Sequence, residues 1–181
     1  NIPEQAHFGD DREVPYESWV NYGTNHAQDV YVRAKVLHNI GRINAEATIN
    51  LDAGSAILQE GNLYAGQSLI VKAQNLKMRF QTNMVGADFI LDVSGVLTDG
   101  GIGADNIIDA QRGIRLERKP ARGDLLGTEI RASVADFESQ RIHWPAEDRG
   151  ATVEGFRDNA ALGRLVLAKA NLSKFVFGGE A

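Results

Sequence analysis

The stretches GRINAEATINLDAG (residues 41–54) and GNLYAGQSLIVKAQ (residues 61–74) carry the same apolar pattern, twenty residues apart. The equivalent pairs are Gly41/Gly61, Ile43/Leu63, Ala45/Ala65, Ile49/Leu69, Leu51/Val71 and Ala53/Ala73, with looser matches at Ala56/Leu76 and Leu58/Met78. A third copy is predicted at Ile108, Ala110, Ile114 and Leu116, and a partial earlier copy at Val30, Val32 and Ala34. Repetition at a constant period of this length indicates a repeat architecture.

Within each copy the apolar residues lie two apart, as in Ile49, Leu51 and Ala53. This spacing places alternate side chains on one face of a β-strand, and it does not keep the period of a helix. The gap between Ile43 and Ile49 predicts a turn, where Gly and Asn are expected to supply positive φ. Strands and turns that close after about twenty residues predict one coil of a parallel β-solenoid, which buries its apolar side only by stacking on other coils.

We therefore predict an all-β fold, a parallel β-helix whose coils occupy residues 27–118. Residues 1–26 are polar and are predicted to form an N-terminal cap or entry segment, because an open solenoid end exposes strand edges. Residues 119–181 lose the period and are predicted to be a less regular excursion that returns to β-strands. For residues 158–170, a helix is the alternative to strands, because Asp158 is a suitable N-cap residue.

Composition restricts the classes of function. The 181 residues suit one domain, and the absence of Cys excludes disulfides, thiolate metal sites and cysteine catalysis. The formal charge of −5 argues against a nucleic-acid surface. The chain lacks the roughly 18 consecutive apolar residues of a membrane span. From the ends at Asn1 and Ala181, we expect either a processed product or a piece of a longer protein.

The coil pattern Gly-x-Ile-x-Ala-x-x-x-Ile-x-Leu-x-Ala-Gly resembles the filamentous-haemagglutinin-like repeats of large secreted bacterial surface proteins. Residues 49–54 and 63–66 look most like them, and the resemblance covers about half of the chain. It implies a right-handed parallel β-helix, a secreted or cell-surface location, and use as an adhesin or scaffold. The last third, from Lys119 onwards, departs from the repeat.

From the repeat and the resemblance we expect a non-enzymatic extracellular structural or adhesive module, a segment of a longer surface or fibre-forming protein. Its expected partners are copies of itself or adjoining solenoid segments. One alternative is a carbohydrate-binding or carbohydrate-cleaving β-helix with glycans as partners, and another is a phage-type fibre. For the first alternative, the aromatic residues either stack on sugars or cap the ends of the solenoid; they are Tyr16, Trp19, Tyr22, Tyr31 and Trp144.

A calcium site is the one cofactor hypothesis. Residues 100–108 (GGIGADNII) match the nonapeptide G-G-x-G-x-D-x-U-x of calcium-binding repeats, which makes Asp99 and Asp105 candidate metal ligands. Calcium takes six to eight oxygen ligands, so a single copy supplies only part of a site. The alternative interpretation is a glycine-rich corner between two coils.

Arg122-Gly123-Asp124 is the tripeptide that integrin-binding proteins display on exposed loops, and these three residues are a candidate adhesion site. The alternative is a turn that carries a surface ion pair.

Catalysis is not expected, although carboxylates are frequent. A glycosidase needs two carboxylates that face each other across a sugar. The candidates are Asp88, Asp92, Asp99, Asp105 and Asp109, with Arg112 and Arg115 nearby for a lyase. Their spacing is that of outward-facing, solvated residues. The sequence also lacks His-Glu-x-x-His and Gly-x-Ser-x-Gly.

Overall fold

The structure, a computed structural model, describes residues 5–8, 16–98, 105–118, 122–124, 128–137, 140–143, 166–167 and 175–178. These residues form one sheet of fifteen strands, and no helix occurs among them. The strands are β1 (Gln5–Phe8), β2 (Tyr16–Asn21), β3 (Thr24–Asn39), β4 (Arg42–Gln59), β5 (Asn62–Ala65), β6 (Ser68–Arg79), β7 (Thr82–Val85), β8 (Asp88–Val93), β9 (Val96–Thr98), β10 (Asn106–Arg118), β11 (Arg122–Asp124), β12 (Thr128–Phe137), β13 (Gln140–His143), β14 (Val166–Leu167) and β15 (Phe175–Gly178).

Each coil passes through three strand segments, and equivalent segments of successive coils pair in parallel to form three ladders. The first ladder contains residues 24–27 of β3, 42–45 of β4, β5, β7 and 107–110 of β10. The second contains residues 29–34, 48–53, 68–73, β8 and 113–118. The third contains β2, residues 36–39, 55–59, 75–79 and β9. The chain is thus a β-solenoid with coils about 20 residues apart, which confirms the predicted fold class.

The register matches the sequence repeat. Ile43 pairs with Leu63, and Leu51 pairs with Val71, as the twenty-residue spacing predicts. The partial earlier copy is also confirmed, since Val30 pairs with Ile49. A register shift between Ala27 and Asp29 precedes this pair. The prediction omitted one copy, formed by β7, β8 and β9, because Asn83 there interrupts the apolar pattern.

The core is a set of apolar columns that run along the solenoid. One column joins Val32, Leu51, Val71, Leu91 and Leu116, each directly paired with the next and at most 4% exposed. Burial of one such side chain stabilises the fold by about 1.5–3 kcal/mol, so the stacking of coils supplies the driving force that no single coil has.

The two ends of the stack differ. At the N-terminal end, β1 and β2 pair in parallel with β3, and the Phe8 and Trp19 rings lie 5.1 Å apart against the core. At the other end, β12 continues the parallel stack on β10, whereas β13 pairs with β12, and β15 with β11, in antiparallel orientation. The division into 1–26, 27–118 and 119–181 stays a prediction.

The corner between the third and first ladders carries the left-handed backbone. Glu60, Phe80 and Asp105 have φ of 59°, 52° and 54°. Asp105 directly precedes a strand of the first ladder, and Glu60 and Phe80 lie two residues before such a strand. The prediction that glycines provide the positive φ is wrong for the coil glycines, because Gly66 and Gly86 do not have it. They are needed for close approach: a Cβ on Gly86 would lie 1.8 Å from the Gly66 carbonyl oxygen.

Candidate functional site

A groove of about 580 Å³ runs along the outer side of the first ladder, and it is the candidate functional site. We call it the first-ladder groove. It is lined by His26, Arg42, Asn44, Ala45, Glu46, Asn62, Leu63, Tyr64, Gly66, Thr82 and Met84.

Strand alternation explains which side chains reach this groove. In β5, Leu63 and Ala65 are buried whereas Asn62 and Tyr64 are exposed, because successive side chains point to opposite sides of a strand. The register then aligns the outward side chains of four coils in one row: His26, Asn44, Tyr64 and Met84. Neighbouring members of such a row are about 4.8 Å apart along the solenoid axis.

Glycines keep the groove open beside its aromatic residue. Gly66 follows Tyr64 by two positions and pairs its N–H with the Ala45 carbonyl of the preceding coil (3.1 Å). A Cβ on Gly66 would lie 2.1 Å from the Glu46 carbonyl oxygen, so the position admits no side chain. Tyr64 is 53% exposed. On the side of Gly66, its ring is therefore bordered by backbone and not by a side chain.

The polar groups of the groove are mostly uncommitted. His26 Nε2 and Glu46 Oε2 lie 3.3 Å apart, and both side chains are exposed. In the part of the chain that the structure describes, the side chains of Arg42, Asn44 and Asn62 make no hydrogen bond or ion pair. Their guanidinium and amide groups are available to a ligand in the groove.

A smaller pocket of about 180 Å³ extends the groove towards the following coil. It shares Tyr64, Gly66 and Met84 with the first-ladder groove and adds Asp109 and Gln111. The extension continues the row of outward side chains, because Asp109 pairs with Met84.

The structure places Asp105 at the corner between the third and first ladders, where it is exposed and has left-handed backbone. Asp99 lies outside the described residues. The described residues contain no group of three or more His, Asp or Glu side chains that could hold a metal ion. The calcium hypothesis stays a prediction.

Arg122, Gly123 and Asp124 form β11, so their backbone is a strand and not the expected loop or turn. Arg122 and Gly123 pair in parallel with Val96 and Leu97, and all three residues of β11 pair in antiparallel orientation with β15. A strand hydrogen-bonded on both sides is a different backbone from that of an exposed loop. The adhesion role of the tripeptide stays a prediction.

The carboxylates considered for catalysis are dispersed. Asp88 begins β8 in the second ladder, Asp109 lies in the first ladder, and Asp105 lies at a corner. Asp88 is paired with Arg112 of the following coil, whose Nε donates to both carboxylate oxygens at 3.1 Å. The hydrogen bond from Arg112 holds the pKa of Asp88 below its ordinary value; partial burial opposes this shift, and the charges of Arg112 and Arg115 assist it.

The sequence prediction missed the aromatic residue of the groove. Of the aromatic residues considered for sugar stacking, Trp19 is buried, Tyr31 is half-buried, Tyr16 and Tyr22 are exposed, and Trp144 lies outside the described residues. Tyr64 was passed over, although its place between the inward Leu63 and Ala65 marks it as outward-facing. That alternation was the available signal.

No known protein family, curated protein or solved structure matches the chain. The resemblance to filamentous-haemagglutinin-like repeats therefore stays a prediction. Among the described residues, no helix has the length and apolar character needed to cross a membrane.

Proposed function

We propose that this chain is a non-enzymatic structural module of a secreted or cell-surface protein. In this proposal it provides a rigid β-solenoid that joins adjoining solenoid coils or copies of itself. The observation that carries the proposal is the repetition of the ladders: from β4 to β8, each coil pairs with the next at a constant spacing of 20 residues, and its buried side chains continue the same columns.

The N-terminal edge of the first ladder supports the proposal. Residues 24–27 pair with β4 on one side, and no other described strand pairs with them. In the following coils, Arg42, Asn62 and Thr82 each donate their backbone N–H to the preceding coil. Thr24 is in register with Arg42, so its N–H points away from β4, and a further coil on that side can accept it.

The dispersed carboxylates support the non-enzymatic part. Asp88 is engaged with Arg112 in the second ladder, and Asp109 belongs to the first ladder. General acid–base cleavage of a sugar chain needs two carboxyl groups on opposite sides of one bond, about 5–9.5 Å apart.

Sedimentation velocity and electron microscopy over a range of protein concentrations test this proposal. We expect end-to-end oligomers or filaments that become longer with concentration. Thr24→Pro removes the outward N–H and is expected to shorten them, whereas the matched variant Thr24→Ala keeps that N–H and is expected to assemble like the parent.

A monomer at every concentration would contradict the proposal. Equal assembly of a folded Thr24→Pro variant would contradict the assignment of this edge. Circular dichroism melting of both variants separates loss of association from loss of fold.

A further inference from the structure

The outer side of the first ladder differs from the outer side of the second. Beside the second ladder, two pairs of charged side chains are engaged: Arg112 binds Asp88, and Arg115 Nε lies 2.7 Å from Glu117 Oε1. In the first-ladder groove, an exposed aromatic ring stands among uncommitted amide and guanidinium groups. The rigidity of a solenoid does not require such an arrangement.

We propose that the first-ladder groove binds a neutral, extended polysaccharide chain along the solenoid axis, with the Tyr64 ring as its stacking platform. The C–H faces of a pyranose ring pack on an aromatic face, and the hydroxyl groups at its edge need donors and acceptors. Tyr64 provides the face, while Asn44, its partner across the ladder, and Asn62, two residues earlier in β5, each provide an amide donor and acceptor.

The charges of the groove select a neutral chain. Arg42 contributes one positive charge and Glu46 one negative charge, and Asp109 adds a negative charge in the extension. The groove has no excess of positive charge with which to hold a sulfated or carboxylated polymer, and the whole chain carries −5.

The shape of the groove suits a chain in preference to a peptide strand. The backbone groups of β5 are paired on both sides, with β4 and with β7, so an added strand finds no free edge within the groove. The row from Asn44 through Tyr64 to Met84 repeats every 4.8 Å or so, about the advance of one sugar ring in an extended chain.

Met84 extends the apolar platform by one coil. It is 42% exposed and directly paired with Tyr64, and both line the groove and its extension. A sugar unit on Tyr64 therefore has a neighbouring apolar contact for the next unit.

Isothermal titration calorimetry with cellohexaose, chitohexaose and mannohexaose tests the proposal, with heparin as the polyanionic probe. We expect at least one neutral hexasaccharide to bind the parent protein and heparin to bind more weakly or not at all. Tyr64→Ala is expected to weaken that binding about tenfold or more, whereas Tyr64→Phe, which keeps the ring, retains most of it.

Phe80→Ala is the matched control. Phe80 is also an exposed aromatic residue, 41% exposed, but it lies at the corner, with the Arg79 guanidinium 5.0 Å from its ring centroid. Its removal is expected to leave hexasaccharide affinity unchanged. Melting curves of the three variants confirm that each is folded.

Absence of binding by all three neutral hexasaccharides would overturn the proposal, as would unchanged affinity in a folded Tyr64→Ala variant. Stronger binding of heparin than of any neutral hexasaccharide would overturn the choice of a neutral chain. These results are independent of end-to-end assembly, because the groove lies on the side of the stack and the Thr24 edge of the first ladder lies at its N-terminal end.

Discussion

Asn83 Oδ1 accepts a hydrogen bond from Gln81 Nε2 (3.0 Å) in the interior of the solenoid, at a column position that Leu63 occupies in the preceding coil and Ile108 in the following one. Both side chains are fully buried. Asn83 Nδ2 also donates to the Ile107 carbonyl oxygen (3.2 Å), and Asn106 Oδ1 accepts from the Gln81 backbone N–H (3.0 Å). In this coil a buried hydrogen-bond network replaces the apolar contact and links the coil to the following one.

Asn83→Ala is expected to lower the free energy of unfolding by about 1–3 kcal/mol, because the Gln81 amide and the Ile107 carbonyl then lose a partner inside the core. Asn62→Ala is the matched control, since Asn62 is exposed on the outer side of the preceding coil and its loss should cost less than about 0.5 kcal/mol. Chemical denaturation of both variants measures the difference. Equal stability of Asn83→Ala and Asn62→Ala would show that the network contributes nothing.

The Asn83 position also limits how much of the fold the sequence predicts. Ladder register follows from apolar residues two apart and twenty residues from their equivalents, so Ile43/Leu63 and Leu51/Val71 could be paired without coordinates. Asn83 interrupts that pattern because it is polar at an inward position. The hydrogen bonds with Gln81 and Ile107 that make its burial possible cannot be inferred from the apolar period. A polar residue compensated by tertiary contacts looks in sequence like the end of a repeat.

The groove was less predictable than the fold. Outward positions can be assigned by alternation, which identifies Tyr64 and Asn44 as outward-facing. Their alignment in one row depends on the register of the two coils, and the opening beside Tyr64 depends on the close approach of Gly66 to the Glu46 carbonyl. Close approach of two backbones leaves no signature that distinguishes it from a flexible turn, which is why positive φ was wrongly predicted for such glycines.

Gly86→Ala is expected to destabilise the protein by about 1–3 kcal/mol through overpacking. The added Cβ would lie 1.8 Å from the Gly66 carbonyl oxygen and 2.7 Å from its carbon, which are backbone atoms that cannot rotate away. Gly23→Ala is the control, because a Cβ there meets nothing within 4 Å. Thermal melting compares the two, and a Gly86→Ala protein as stable as Gly23→Ala would contradict the close stacking at this corner.

Leu51→Asp is expected to unfold the solenoid, since Leu51 is 0% exposed and an unpaired buried charge costs several kcal/mol of a total stability of about 5–15 kcal/mol. Val71→Asp, one coil further along the same column, should have the same effect. Asn50→Asp introduces the same carboxylate at the neighbouring outward position and should leave the fold intact. Far-ultraviolet circular dichroism measures the outcome, and a β-rich spectrum for Leu51→Asp would refute the inward assignment.

The Asp88–Arg112 pair predicts a pH dependence with a definite sign. Because the Arg112 hydrogen bond lowers the pKa of Asp88 in the folded state, the pair stabilises the protein above the unfolded-state pKa of about 3.9 and loses this effect as the pH falls through the folded-state pKa. Asp88→Asn should therefore be less stable than the parent at neutral pH, and the difference should shrink in acid.

Arg112→Gln supplies the control for that pair. It should cause a loss similar to that of Asp88→Asn at neutral pH, and the double variant should lose less than the sum of the two single variants. Strict additivity, or a difference that grows as the pH falls, would show that the pair is not the source of the effect.

Substitutions of Asp105 distinguish a calcium site from a glycine-rich corner, the two interpretations of residues 100–108. Its φ of 54° lies in a backbone region that Asn tolerates as well as Asp, so Asp105→Asn should melt like the parent without calcium. Asp105→Ala should be less stable by roughly 1 kcal/mol, because Ala has no short polar side chain to offset left-handed backbone. If Asp105 lies only at a corner and binds no metal, calcium should not change the difference in stability between the parent and either variant. Calcium stabilises any state that binds it by mass action, so a melting temperature that rises with calcium in the parent and not in Asp105→Asn would instead establish the carboxylate as a metal ligand.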